Sequence, residues 1–217
     1  MSVKQAAAEI KAKAQETLGE KFSVIADDME RVRTAGTIDG ALKVGQSAPE
    51  FTLPDAFGNK VSLAALIANG PLVISFYRGE WCPFCNIELR GLQEALPRME
   101  SLGATLVALS PEKPDHGIVM TEKNKLTFPV LRDFGNEVAR QFGIVFQVGQ
   151  ELRSLSKNVF KNDIAQRNGE DSYELPVPAT YVIDKTGVIR LAHVDVDYML
   201  GRVEPETVVA ALGPIAK

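Results

Sequence analysis

The segment from Pro71 to Ser110 constrains this chain more than any other. The apolar run "PLVISFY" leads into "CPFCNIELRGLQEALPRMESLG", where Ile87, Leu89, Leu92, Leu96 and Met99 recur near helical spacing, and a second apolar run, "ATLVALS", follows. A buried strand, a helix and another buried strand in that order predict a βαβ unit with its two strands parallel in one sheet. Pro97 is expected to kink the helix or mark a weak point in it. Both cysteines of the chain, Cys82 and Cys85, fall where the first strand hands over to the helix. That is the carboxyl edge of the sheet, where open α/β folds place their sites.

A bridge between two cysteines so close together removes little denatured-state entropy, so the pair has small value as a structural staple. Reactivity is the stronger reason for it. Pro83 suits the first helical position, which makes Cys82 the N-cap and puts Cys85 in the first turn. Unpaired N–H groups and the helix dipole at such an exposed, electropositive address lower a thiol pKa from its usual value of about 8.5. The resulting thiolate serves disulfide exchange and peroxide reduction alike. Two inert thiols and half of a tetrahedral zinc site are the rival readings. Zinc lacks its other ligands, because the only histidines, His116 and His193, stand in separate segments without ligand spacing. No haem, flavin or metal motif is present, and no cofactor is expected.

The remainder of the chain supplies a core and its connections. Of 217 residues, 45% are hydrophobic and 24% charged, enough to bury a sizeable interior. A formal net charge of −4 without any Lys/Arg block argues against nucleic acid or a membrane surface as partner. The N-terminal stretch "MSVKQAAAEIKAKAQETLGEK" is interrupted by charges, unlike the apolar core of a signal peptide or spanning helix. A thiol-reducing, cytoplasmic setting is therefore expected, in which a CxxC is catalytic or metal-binding more often than structural.

Apolar residues from Val3 to Val32 recur at three- and four-residue steps, predicting two amphipathic helices broken near Gly19. These pack either on the main domain or on a second subunit, the latter making a homodimer. The expected division is a helical extension over 1–43 and a main domain over 44–217, with an insertion at about 147–174 holding a short helix from Glu151 to Phe160. "APEFTLPDAFGNKVSL" reads as two short extended pieces around a turn, and "ATYVID", "DKTG" and "VIRLAHVDV" as a closing hairpin before a helix from about Pro205 to Leu212.

Four segments in order now resemble one family. "VGQSAPEFTLPDAFGNKVSL", "FYRGEWCPFCNIEL", "TFPVLRDFGNEVARQFGI" and "PATYVIDKTGVI" are similar to the opening, active-site, middle and closing segments of the AhpC/TSA peroxiredoxins. The resemblance implies a thioredoxin-like α/β fold, a central mixed sheet flanked by helices. Against the family's F-Y-P-x-x-x-T-x-x-C-x-x-E, this chain has Arg78 for the proline, Cys82 for the threonine, Cys85 at the peroxidatic cysteine and Glu88 at the acid. Trp81, Cys82, Pro83 and Cys85 also resemble the W-C-x-x-C of thioredoxins. The family's arginine before the last-hairpin strand is replaced by Pro178, which matches the thioredoxin cis-proline and implies a cis Val177–Pro178 bond packed on the cysteines. Arg78 is then the replacement cation.

The resemblance implies a thiol peroxidase that reduces hydrogen peroxide or organic hydroperoxides through Cys82 and Cys85 and is recycled by a thioredoxin- or glutaredoxin-type donor. A thiol-disulfide oxidoreductase and a thioredoxin-fold redox sensor are the alternatives. Helix capping favours Cys82 as the lower-pKa thiol. The family alignment favours Cys85 as the peroxide-attacking thiol and leaves Cys82 to exchange with the reductant.

Overall fold

A computed structural model describes residues 2–216 of the chain. The N-terminal periodicity forms α1 (Val3–Leu18) and α2 (Ser23–Thr34), separated at Gly19 by one short turn. Ser2 caps α1 in a capping box with Gln5, at 3.1 and 3.0 Å, and Glu204 closes on the same helix end from the far terminus by accepting the N–H of Lys4 at 2.8 Å. This extension packs on its own chain. The short antiparallel pair β1 (Thr52–Pro54) and β2 (Lys60–Ser62) then leads through α3 (Leu63–Ile67) into the main sheet.

The predicted βαβ unit is present as β3 (Leu72–Phe76), α4 (Pro83–Ser101) and β4 (Thr105–Ser110). Every residue of β3 is buried because the strand has neighbours on both sides and helices on both faces. α4 runs through Pro97 to Ser101, carried by buried Leu92, Leu96 and Met99. At Gly91 a Cβ would sit 2.7 Å from Val3, so the missing side chain is what lets α1 approach α4. α5 (Pro114–Asn124), β5 (Val130–Arg132) and α6 (Glu137–Gln141) follow.

The interval after α6 is more ordered than its polar sequence suggests. β6 (Val145–Gln147) pairs antiparallel with β7 (Glu174–Pro176), and this ladder closes the base of an insertion carrying α7 (Gln150–Asn158) and α8 (Ile164–Asn168). Buried Asp28 of α2 accepts the Gly149 N–H at 2.9 Å, and Arg31 reaches the Gln147 carbonyl at 2.6 Å. The extension and the insertion therefore touch. β8 (Ala179–Ile183) and β9 (Ile189–Val194) form the closing hairpin before α9 (Pro205–Leu212).

The resulting sheet has the order β5-β4-β3-β8-β9, with β5, β4 and β3 parallel and β8 and β9 antiparallel. It is the mixed, helix-flanked sheet of a thioredoxin-like fold. Among the described residues no helix is long and apolar enough to cross a membrane.

Candidate active site

Cys82 is the N-cap of α4, with extended backbone, and Pro83 opens the helix. The expected capping geometry is present, but the expected exposure is not: Cys82 and Cys85 are both 0% exposed free thiols. The burial comes from the loop before the helix and from a second loop laid over it. In the first, the Gly79 carbonyl accepts the Cys82 N–H at 3.1 Å, and Asn86 donates to the carbonyls of Glu80 and Cys82 at 2.7 and 2.8 Å. A Cβ at Gly79 would lie 2.3 Å from Trp81 and 2.9 Å from Glu112, so only glycine lets this loop close.

Two arginines converge on the sulfurs. Arg78, expected as the replacement cation, is buried instead of solvated, and its Nη2 donates to Cys82 Sγ at 3.6 Å. Its guanidinium carbon lies 3.6 Å from the Tyr198 ring centroid and 4.8 Å from that of Trp81, so both rings hold it in place. Arg202, fully buried, donates from Nη2 to Cys85 Sγ at 3.5 Å and to Cys82 Sγ at 3.9 Å. Its Nη1 pairs with Glu88 at 2.6 Å, and its Nε donates to the Tyr198 carbonyl at 2.8 Å.

Arg202 and Tyr198 were not visible as site residues in the sequence. Both belong to the loop after β9, whose turn is built by Asp197, accepting the N–H groups of Met199 and Leu200 at 3.0 and 2.9 Å. His193 bonds the Gly201 carbonyl at 2.9 Å, so it braces this loop. The available signal was the absence of an arginine ahead of β8. The lone arginine of "YMLGRVE" is the cation that the structure places at the thiols beside Arg78.

Burial pushes the Cys82 thiol up, but hydrogen bonding from Cys85 and the charges of Arg78 and Arg202 outweigh it, leaving Cys82 well below the usual thiol range. Cys85 goes the other way. Burial, its hydrogen bond to Cys82 and the Cys82 charge raise it well above that range. Of the two titrations of this pair, the lower therefore falls toward Cys82 and the higher toward Cys85.

Pro178 does not take the expected form. There is no cis peptide bond among the described residues, so Val177–Pro178 is trans. Val177 and Pro178 carry the chain directly from β7 to β8, and the Val177 N–H is already donated to the Ile144 carbonyl at 2.6 Å. That group is therefore not free for a docked thiol or disulfide partner. Among the described residues no three His, Cys, Asp or Glu side chains are grouped to hold a metal ion.

The AhpC/TSA family profile matches residues 44–192, more than half of the chain. The chain belongs to the AhpC/TSA family. It is 27% identical to the chloroplastic peroxiredoxin Q of Populus jackii over 157 residues, which is 72% of this chain and 62% of that one. It is 33% identical to peroxiredoxin Bcp of Escherichia coli over 103 residues, 48% of this chain and 65% of the relative. The matches thus span a little under two thirds of these relatives' lengths. Among solved structures, peroxidoxin BcpB of Mycobacterium tuberculosis superposes with a TM-score of 0.64 at 22% identity, over 81% of this chain and 99% of the other. That likeness confirms the family's thioredoxin-like fold. Of the two arginines on Cys82 and Cys85, Arg78 lies within the matched residues and Arg202 beyond them.

Proposed function

We propose that this family member is a thiol-dependent peroxidase in which Cys82 attacks the peroxide and Cys85 resolves. The observation that supports this most is the convergence of Arg78 and Arg202 on Cys82 Sγ, at 3.6 and 3.9 Å. It departs from the alignment-based expectation that Cys85 attacks, because both guanidiniums face Cys82 Sγ and Cys82 is the thiol whose pKa is lowered.

The Cys82 thiolate attacks the distal oxygen of the hydroperoxide. An S–O bond forms, the O–O bond breaks, and the alcohol leaves after its oxygen takes up a proton. Charge grows on that departing oxygen, and two guanidiniums fixed in a water-excluded site stabilise it without reorganising. The Cys82 sulfenic acid then condenses with the Cys85 thiol, forming the disulfide and releasing water. A thioredoxin- or glutaredoxin-type dithiol resets the pair by exchange and is itself oxidised. A reducing compartment such as the cytoplasm suits this cycle. Neither sulfur is exposed, so turnover requires Trp81, Tyr198 or the loop from Gly79 to move aside. With Val177–Pro178 trans, the disulfide-oxidoreductase reading rests on the Trp81-Cys82-Pro83-Cys85 run alone.

The test is stopped-flow oxidation of the reduced protein by hydrogen peroxide, tert-butyl hydroperoxide and oxidised thioredoxin in parallel, with sulfenic acid trapped by dimedone in single variants. Faster reaction with either peroxide, and labelling of Cys85→Ser but not Cys82→Ser, is the expected result. Labelling only in Cys82→Ser assigns the attack to Cys85; reaction with the disulfide alone overturns the peroxidase.

A further inference from the structure

Arg78 and Arg202 both face the thiols, but their charges are balanced differently. Arg202 keeps a carboxylate whatever the sulfurs do, because its Nη1 pairs with Glu88 at 2.6 Å. Arg78 has no such partner. It is 5% exposed, no carboxylate pairs with it among the described residues, its Nε lacks a hydrogen-bond partner, and its Nη2 reaches Cys82 Sγ at 3.6 Å. The faces of Tyr198 and Trp81, 3.6 and 4.8 Å from the guanidinium carbon, attract this cation without neutralising it. The counter-ion of Arg78 is therefore the cysteine pair, in which Cys82 is the thiol of lowered pKa.

Disulfide formation removes that charge. One thiolate, one thiol, one hydroperoxide and one proton give the disulfide, an alcohol and water, the two electrons passing from the sulfurs to the O–O bond. Neither sulfur then carries charge. A guanidinium left in a dry site without an anion is disfavoured by more than two ring faces offset. Arg202 still has Glu88 and stays; Arg78 is left alone.

Room for it to move lies alongside. A cavity of about 460 Å³ has Arg78, Trp81 and Tyr198 in its wall, and the exposed residues Lys13, Thr17 and Lys161 line it as well, so it leads to solvent. Trp81 is only partly buried, and its Nε1 has no hydrogen-bond partner to fix the ring. The helix itself has no need to open, since N-cap and first turn carry both sulfurs and the Cys82 carbonyl accepts the N–H groups of Cys85 and Asn86 at 3.1 Å.

Drawing on the thiol cycle above only for its disulfide, we propose that Arg78 is a gate released by loss of charge. In the reduced protein it is held on Cys82 and keeps Trp81 in place. Once the Cys82–Cys85 bridge forms, the guanidinium swings through the cavity toward water, Trp81 moves with it, and the bridge is uncovered for the incoming dithiol. A protein reductant is thus admitted only when there is a disulfide to reduce.

Trp81 is the only tryptophan of the chain, so acrylamide quenching of its fluorescence reads its accessibility. The full-length protein is compared reduced and after oxidation by diamide, which makes the bridge without any peroxide. The quenching constant is expected to rise about threefold on oxidation, and to be as high in Cys82→Ser with Cys85→Ser, which has neither bridge nor charge. Arg78→Lys keeps a cation and should show the same rise. Arg78→Met has no buried charge to release, so its constant should be alike in both states and its disulfide should be reduced by thioredoxin about tenfold more slowly. Hydrogen exchange should quicken over 77–82 and not over 86–101. An unchanged constant in the oxidised wild type refutes the gate. An equal rise in Arg78→Met assigns the opening to the bridge and not to the lost charge, and faster exchange throughout α4 replaces the gate with helix unfolding; either overturns the proposal. If diamide opens the loop as expected but no hydroperoxide oxidises the thiols, the peroxidase reading fails and the gate stands.

Discussion

Arg202 and Glu88 form an ion pair that is closed to solvent, Nη1 to Oε2 at 2.6 Å, with side chains 0% and 4% exposed. The remaining carboxylate oxygen of Glu88 accepts the Val203 N–H at 3.2 Å, and Arg202 Nη2 faces Cys85 Sγ at 3.5 Å. Burial alone would push Arg202 down, but the negative charge of the cysteine pair and of Glu88 holds it firmly protonated. The pair thus ties the last loop to α4 and supplies the thiols with a permanent cation.

Removing one partner leaves the other charge buried and alone. Arg202→Met is therefore expected to lose about 3–5 kcal/mol of stability. The double variant Arg202→Met with Glu88→Met should recover most of that loss, because hydrophobic replacement of a whole buried pair is often neutral. Its peroxide oxidation should nevertheless stay at least tenfold slow, a ratio that corresponds to about 1.4 kcal/mol of lost transition-state stabilisation. Urea unfolding and stopped-flow oxidation separate the two roles. A double variant with normal rate would mean that Arg202 only holds the fold.

The Cys82 thiolate gives a pH dependence with a definite sign. Its pKa in the folded chain lies below the ordinary thiol value, so the stability it contributes is present at alkaline pH and lost as pH falls through the depressed pKa. The oxidation rate should fall over the same range. Arg78→Met removes one of the two cations facing this sulfur and should move the transition upward, by about one unit or more if the contact is worth about 1.4 kcal/mol. Ultraviolet thiolate absorbance against pH checks both statements. An unchanged curve in Arg78→Met would assign the shift to Arg202 and Cys85 alone.

Disulfide formation is checked without kinetics. Cys82 and Cys85 occupy the N-cap and first turn of one helix, and Arg202 Nη2 reaches both sulfurs, at 3.9 and 3.5 Å. Mild peroxide treatment followed by alkylation and mass spectrometry should show an unalkylated chain lighter by two hydrogens. Capture of both thiols, or disulfide-linked dimers alone, would rule out the intramolecular bridge.

The fold was legible where local pattern and tertiary need agree. β3, α4 and β4 read directly from the two apolar runs and the helical spacing between them, since burial on both sides of a strand demands such runs. α8 was missed because it is only Ile164–Asn168, although Asp163 at its N-cap and Gly169 beyond its end are its ordinary signals. At the site, Cys82, Cys85, Trp81 and Arg78 lie within eight residues of one another, so sequence proximity exposed them. Arg202 is 117 residues from Cys85, and no local pattern marks a lone arginine as buried. Pro178 misled for the complementary reason: its alignment position was informative, but the peptide geometry depends on where β7 is heading.

Glu112 offers the last test, because its carboxylate is buried behind the active-site loop and does not touch the sulfurs. It accepts the Glu80 N–H at 2.5 Å and faces Arg167 of α8 at 3.3 Å, while Arg167 also contacts Glu80 at 3.3 Å and His116 at 3.1 Å. Burial raises its pKa more than the Glu80 N–H and Arg167 lower it, and the nearby Glu80 charge adds to the rise, to about 7. A carboxyl with a raised folded pKa binds more protons in the folded than in the unfolded chain. Its stabilising contribution is full below pH 4.5, the ordinary glutamate value, and is lost as pH rises through about 7. The size of that loss is at most about 3 kcal/mol. Glu112→Gln cannot ionise, so the stability difference, wild type minus variant, should fall steadily between pH 4.5 and about 7 and level off above. Other titrating groups, His116 among them, cancel to first order in that difference. Urea midpoints at matched ionic strength supply the measurement. A flat difference would show that Glu112 is ionised throughout, held by Arg167 and the Glu80 N–H, and that the loop carrying Trp81 rests on a permanent charge.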